Sequence, residues 1–319
     1  MIYGAQGTKS GRFAPSDKDH PESQNVHMIV HQAMIFYYLP ATFCEIIMVV
    51  FPQAKINIGL RILRKRTDGY HDIESLFYPI PLYDVLEIIT DDGTEGFSLE
   101  QSGLNIGTSS GNNLVEKAWM VLAGDHALSG MRAWLHKVLP MGAGLGGGSS
   151  DGAWALKVMN DIAGLGLSDE TLESYASVLG SDCPFFIKGR PAWVTGRGEV
   201  MAPSSLSLTG FYLVLVCPDI HVATVDAYAN ILPDDSGTSL SNLLELPVAQ
   251  WRENIQNDFE DPVFRKYPAL KKVKEKLYKE GAVYASMTGS GSALYGIFEH
   301  EPTVSRKVFP WPVYTMKLD

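Results

Sequence analysis

Between Pro140 and Ser150 the chain reads Pro-Met-Gly-Ala-Gly-Leu-Gly-Gly-Gly-Ser-Ser, with five glycines in the seven positions from Gly142 to Gly148. An apolar run of strand density, Met131–Leu139, leads into it. Ala153, Leu156, Met159 and Ile162 follow at helical spacing. The chain must therefore pass from a strand, through backbone stripped of side chains, directly into a helix. Glycine permits positive φ and close approach of a ligand to the main chain. Successive amide hydrogens then converge, and the dipole of the following helix points at the same place. Ser149 and Ser150 add hydroxyl donors. The physical product is a cradle for phosphate, and a flexible linker would not run straight from strand to helix.

Two other glycine motifs are excluded. Gly142, Gly144 and Gly147 satisfy the spacing of a dinucleotide fingerprint, with Asp169 about 20 residues on. That acid should end a second strand, whereas Ser168-Asp169-Glu170 reads as a helix start. The Gly-Lys-Ser/Thr ending of a P-loop is also missing.

The 319 residues suffice for two domains, and 45% apolar against 19% charged is an ordinary globular balance. A net charge of -10 supplies no basic field for a nucleic-acid backbone, so an anionic ligand must be held by local donors. Cys44, Cys183 and Cys217 are too few for a disulfide framework or a clustered zinc site, which suggests a reducing, cytoplasmic setting. Residues 1–27 are polar and without periodicity. Residues 28–51 are apolar but interrupted by His31, Gln32, Pro40 and Glu45, which argues against a membrane span or signal peptide. Residues 1–47 read as an upstream extension set by start-site choice, a membrane-associating leader being the alternative.

From Met48 the organisation is regular. A strand-like stretch from Met48 to Leu63 is broken at Pro52 and at Lys55–Asn57, and 84–90 alternates as a strand ending at Asp91-Asp92-Gly93. Leu114, Ala118, Val121 and Leu122 mark a helix over 113–123. SSLSLTG, near residue 205, is the best boundary between domains. A buried strand at 211–218 follows, then a basic helix carrying Leu270, Val273 and Leu277 that stops at Gly281. Two strands flank the turn Thr288-Gly289-Ser290-Gly291-Ser292.

The glycine loop resembles the phosphate loop of the GHMP small-molecule kinases, and Met287–Ala293 resembles that family's third motif. Within the family, further stretches are similar to the branch that acts on 4-diphosphocytidyl-2-C-methyl-D-erythritol. These are Ala54-Lys55-Ile56-Asn57-Ile58-Gly59-Leu60, Lys65–Ser75 with its Asp68-Gly69-Tyr70-His71, Gly180–Phe186 and Asn257-Asp258-Phe259-Glu260. The likeness runs from about residue 51 to 298.

The resemblance implies an α+β, two-domain fold. A ribosomal S5 domain 2-like N-terminal domain (48–205) would carry the ATP site, and a ferredoxin-like C-terminal domain (206–319) would close it. It implies transfer of the ATP γ-phosphoryl group to the 2-hydroxyl of CDP-methylerythritol in the non-mevalonate isoprenoid route, with Mg²⁺ accompanying ATP and no protein metal ligand assigned. Asp182 would be the base and Lys55 its partner across the reacting hydroxyl. Lys55 inside an apolar strand needs a partner in any case, because an uncompensated buried ammonium is costly. Asp182 read alone is equally a residue bracing its turn.

ATP contacts would come from Asn113, Pro140, Gly142, Ala143, Gly144, Leu145, Gly146, Gly147, Gly148, Ser149, Ser150 and Asp151. Asn113 read alone is a helix cap, and Asp151 stands where a related enzyme carries Asn. Substrate contacts would come from Asn57, Tyr70, His71, Thr224, Tyr228, Gly289 and Ser290. Tyr70 would stack on the pyrimidine and His71 would bond its edge, while the amide of Asn57 would serve either substrate hydroxyls or Lys55. No nucleic-acid or membrane partner is expected, and a monomer or homodimer both fit. A homoserine- or mevalonate-type kinase, or a non-catalytic ligand-binding relative, remain the alternatives.

Overall fold

The computed structural model describes residues 47–91, 93, 95–104, 113–223, 227–228, 231–304 and 308–319. The expectations for residues 1–46 and for Thr224 lie outside these. Pro52, which cannot donate to a ladder, separates β1 (Ile47–Val50) from β2 (Gln53–Lys65). β2 pairs antiparallel along its length with β3 (His71–Tyr83), and the pairing is irregular near Gly59 and near Leu63. Contrary to the sequence expectation, Lys55–Asn57 does not interrupt the strand. Its polar side chains are buried but paired within the fold, so the ladder continues through them.

β4 (Val85–Thr90), β5 (Phe97–Gly103) and β6 (Met131–Lys137) join β1 in a sheet of order β1-β4-β6-β5. β5 and β6 are parallel, linked through α1 (Leu114–Asp125). Asn113 starts α1 by accepting the Val115 amide on Oδ1 at 2.9 Å, and Val115, Ala118 and Leu122 form its buried stripe. α2 begins at Gly147, inside the glycine run and earlier than the apolar periodicity indicates, and continues to Ile162. The periodicity also suggests one apolar face, yet Ala155, Val158 and Asn160 are buried as well. The reason is that α2 packs against α1 and against α3 (Asp169–Leu179) and α4 (Cys183–Lys188).

β7 (Ala192–Thr195) and β8 (Val200–Pro203) extend the second sheet to β2-β3-β7-β8. In the C-terminal half, β9 (Tyr212–Val216), β10 (Tyr284–Met287), β11 (Leu294–Phe298) and β12 (Val313–Lys317) form an antiparallel sheet of order β10-β11-β9-β12. Counted in chain order this is 4-1-3-2, the arrangement of a ferredoxin-like unit. Three short helices, α5 (Leu240–Leu243), α6 (Trp251–Asn254) and α7 (Glu260–Lys266), precede α8 (Pro268–Lys279). α8 covers β10 and β11 with Leu270, Val273 and Leu277. No helix lies between β11 and β12 among the described residues, where the ferredoxin pattern places a second one.

Ile56, Ile58, Leu76 and Ile80 of the β2–β3 ladder share one core with Leu213, Leu215 and Tyr295 of the C-terminal sheet. The SSLSLTG stretch is a loop anchored to that core. Leu208 is fully buried, and its amide donates to the Tyr78 hydroxyl at 3.0 Å. Asn257 ties the α7 start to the turn after β10: Nδ2 donates to the Met287 and Gly289 carbonyls, both at 2.8 Å, while Oδ1 accepts the Phe259 amide. Asn257→Ala should lower stability by about 1–3 kcal/mol, read as a shifted urea midpoint with an unchanged slope.

Candidate active site

The loop from Pro140 to Gly146 adopts left-handed backbone at alternate glycines, with φ of 66° at Gly142, 80° at Gly144 and 70° at Gly146. It is clamped from three sides. The Lys55 amide donates to the Leu145 carbonyl at 3.0 Å, the Thr288 hydroxyl to the Gly144 carbonyl at 3.0 Å, and the Ala293 amide to the Ala143 carbonyl at 3.2 Å. A Cβ on Gly144 would fall 2.1 Å from the Thr288 carbonyl oxygen, so only glycine allows this approach. Gly146 caps α2 without a side chain, and the first helical bond runs from the Ser150 amide to the Gly146 carbonyl. The amides of Gly147, Gly148 and Ser149 therefore precede the helical ladder, which is the geometry of an anion site.

The loop lines a cleft of ≈ 290 Å³ together with Asn113, Leu114, Ser149 and Asp151. Ser150 is fully buried and is not at that surface. Gly289 and Ser290 sit in the turn whose neighbours Thr288 and Ala293 hold the loop; the Gly289 carbonyl is engaged by Asn257.

Lys55 leaves β2 toward the same loop: a Cβ on Gly146 would meet Lys55 Cγ at 3.2 Å and the Phe186 ring at 2.8 Å. The Lys55 ammonium donates to Asn57 Oδ1 at 2.6 Å, lies 4.2 Å from the centroid of Phe77 and stands 3.5 Å from Asp182 Oδ2. Burial lowers its pKa, and the Asp182 carboxylate opposes that shift. The Asn57 amide nitrogen is committed to Ser75, so Asn57 orients the lysine. Asp182 occupies the N-cap position of α4, yet its side chain makes no capping bond. Its carboxylate, 35% exposed against 4% for the Lys55 side chain, faces the ammonium instead of bracing its own turn. Beside it, burial pushes the Cys183 thiol up to about 12, so it is no nucleophile at neutral pH.

Beyond Asp182 lies an aromatic row. His71 stacks on Tyr228, with centroids 4.8 Å apart and planes 19° from parallel, and Tyr228 meets Phe259 edge-on. Burial and then the Asp182 charge raise the Tyr228 pKa, which puts the phenol within electrostatic reach of that carboxylate. His71 is held below its usual range by burial and by Lys65, so its ring is neutral at pH 7. Tyr70 is 58% exposed on the adjoining turn, with the Arg197 guanidinium 4.9 Å from the ring centroid on one face.

Two stretches match family models for the GHMP kinases, residues 113–190 the N-terminal domain and 239–310 the C-terminal one. A 4-diphosphocytidyl-2-C-methyl-D-erythritol kinase of Bacteroides fragilis is 47% identical over 263 residues, covering 82% of this chain and 96% of its own. One of Bacteroides thetaiotaomicron is 45% identical, over 85% and 99%. The chain belongs to the 4-diphosphocytidyl-2-C-methyl-D-erythritol kinase family of GHMP kinases. A crystal structure of a 4-(cytidine 5'-diphospho)-2C-methyl-D-erythritol kinase superposes with a TM-score of 0.72 at 32% identity, over 84% of this chain and 98% of that one. A homoserine kinase of Cytophaga hutchinsonii (TM-score 0.56, 16% identity, 88% and 97% covered) shares the fold alone.

Several supports of this kinase site escape sequence reasoning. Lys137 lies beneath the loop, its ammonium bonded to both Asp84 and Asp151, and Asp84 also accepts the Val138 and Leu139 amides. Glu260 accepts the Met287 amide at 2.8 Å and the Ser286 hydroxyl, and pairs with Lys274. Lys137 sits in an apolar run, a hint of a buried partner, but nothing in the order of residues names Asp84. Gly146→Ala should force both Phe186 and the Lys55 stem aside while straining a left-handed backbone. Expected are a kcat about 100-fold lower and a stability loss of about 1–3 kcal/mol, measured by steady-state turnover and chemical denaturation.

Proposed function

We propose that this chain transfers the γ-phosphoryl group of ATP to the 2-hydroxyl of 4-diphosphocytidyl-2-C-methyl-D-erythritol, giving the 2-phosphate and ADP, in non-mevalonate isoprenoid synthesis within the cytoplasm. The observation that carries the reading is the Lys55–Asp182 pair abutting Gly146. It brings an ammonium and an uncommitted carboxylate to the tip of an anion-binding loop. A hydroxyl entering between them would give its proton to Asp182 as its oxygen bonds to the γ-phosphorus and the bond to ADP breaks. Phosphoryl transfer has a loose transition state dominated by positioning and charge neutralisation, so an orienting carboxylate suffices. Lys55 neutralises charge gathering on the phosphoryl oxygens, and the unladdered amides of α2 do the same for the rest of the chain of phosphates.

Among the described residues no three His, Cys, Asp or Glu side chains gather as a cation site. In this reading Mg²⁺ arrives with ATP as its counter-ion. The His71–Tyr228 stack and the open face of Tyr70 suit a flat heterocycle and support a cytosine-bearing substrate over a small aliphatic alcohol. No helix of the described residues is long and apolar enough to cross a membrane.

The test is ADP release by the purified chain with CDP-methylerythritol, mevalonate and homoserine offered separately. Turnover is expected with the first alone; turnover with either of the others and none with the first overturns the assignment. Asp182→Asn should bind an ATP analogue with affinity changed less than about threefold while kcat falls about 10²–10⁴-fold. Near-normal turnover in that variant removes Asp182 from the base role.

A further inference from the structure

Beneath the phosphate loop, one ammonium is shared by two carboxylates with almost no access to water. Side-chain exposure is 1% for Lys137, 0% for Asp84 and 3% for Asp151. With all three ionised the cluster would carry a net charge of -1 in a dry interior, where an unbalanced charge is expensive. It would also stand directly under a surface built to receive phosphates. The two acids are not equally equipped to hold that charge. Asp84 accepts the Val138 amide at 2.6 Å and the Leu139 amide at 2.8 Å on Oδ1, and Lys137 on Oδ2. Asp151 accepts Lys137 on Oδ2 at 2.6 Å and has the Asp84 carboxylate close by, while its Oδ1 is buried without a hydrogen-bond partner. Donors to a carboxylate favour its ionised form, so the proton that relieves the cluster belongs on Asp151.

Asp151 also lines the nucleotide-side cleft, with Gly147, Gly148 and Ser149 ahead of it on the first turn of α2. We propose that Asp151 meets the nucleotide as a neutral carboxylic acid, with Oδ2 accepting from Lys137, so that the buried cluster beneath the phosphates carries no net charge. An ionised Asp151 would repel the phosphates through the dry layer under the loop; a protonated one leaves the Asp84–Lys137 pair balanced. Burial holds this carboxyl well above the usual carboxylate range, at about 7, against the pull of Lys137 and with Asp84 adding to the rise. From α1 the groups at the same cleft are Asn113 and Leu114; Lys55 and Asp182 do not line it and pair with each other at 3.5 Å. Glu173 of α3 and Lys188 of α4, the other helices packed on α2, are paired together at 2.9 Å.

The linkage has a definite sign. Below pH 7 the acid is already neutral and binding takes up no proton from this group. Above pH 7 the proton must come from solvent, so affinity falls as pH rises, approaching tenfold per unit. The inference rests on the reading that this loop holds nucleotide, and the two fail separately in one experiment. ADP is titrated into the wild-type chain at pH 8 by calorimetry in buffers of different ionisation enthalpy, then across pH 6.5 to 9. Asp151→Asn keeps an acceptor for Lys137 and makes the position permanently neutral. Expected are uptake approaching one proton per ADP at pH 8 in the wild type, none in Asp151→Asn, and a variant whose affinity no longer declines with pH. Equal uptake in the two proteins, or a variant that binds ADP more weakly with the wild-type pH slope, overturns the proposal. If the variant does not fold, zero proton uptake by the wild type does the same. No ADP binding at any pH would instead remove the nucleotide site itself.

Discussion

The site depends on a clasp made of main chain. Three hydrogen bonds hold a loop that has almost no side chains: Thr288 to the Gly144 carbonyl, Ala293 to Ala143, and Lys55 to Leu145. A glycine-rich segment loses more conformational entropy on ordering than any other, so those bonds and the burial of Ala143 and Leu145 must offset it. The three donors come from β2 and from the turn after β10, more than 200 residues apart in the chain. A loop shaped for phosphate in the N-terminal half is thus held in shape by the C-terminal half. This explains why the β2–β3 ladder and the C-terminal sheet share a hydrophobic core: relative movement of the two would shear the clasp.

The turn that closes the clasp is itself secured from below. Asn257 occupies the carbonyls on either side of Thr288, and Glu260 takes the Met287 amide. The Thr288 hydroxyl both donates to Gly144 and accepts the Asn57 amide at 3.0 Å. Asn57 in turn passes Oδ1 to Lys55 and Nδ2 to Ser75, and the Ser75 hydroxyl donates to the Gly59 carbonyl. The Lys55 ammonium is therefore positioned by a continuous set of paired groups, and a buried network stabilises only when each member is satisfied.

Much of this was legible in the order of residues where the physics is local. The glycine run, Asn113 and Ser168 as helix starts, Pro52 as a break and Gly281 as a stop all act within a few positions, and each appears where expected. Elements whose outcome depends on distant partners were not legible. Lys55–Asn57 reads as a break because its polar side chains look unsatisfied within the strand; Ser75 and Asp182 supply what is missing. α2 reads as one-faced because three helices pack around it at sequence separations the pattern does not encode. His71 reads as a partner of Tyr70 for the edge of a pyrimidine, whereas its ring stacks on Tyr228, 157 positions later. The Asp84–Lys137 pair spans 53 residues, and the apolar run around Lys137 hints at a partner without naming it.

Three aspartates near the loop show how surroundings divide labour among identical side chains. Asp84 is supplied with donors on both oxygens and fully buried, so it serves the fold. Asp182 has one cationic neighbour, a third of its surface open and no capping bond, which leaves its carboxylate uncommitted to the fold. Asp151 has one oxygen bonded and one bare, in a place too dry for a full charge. Exchanging any two of these environments would exchange the roles. The distribution of donors is what separates them, and those donors are mostly backbone amides: Val138 and Leu139 for Asp84, none for the other two. The path of the chain just before the glycine loop therefore determines both the shape that receives phosphate and which acid beside it is left without a partner.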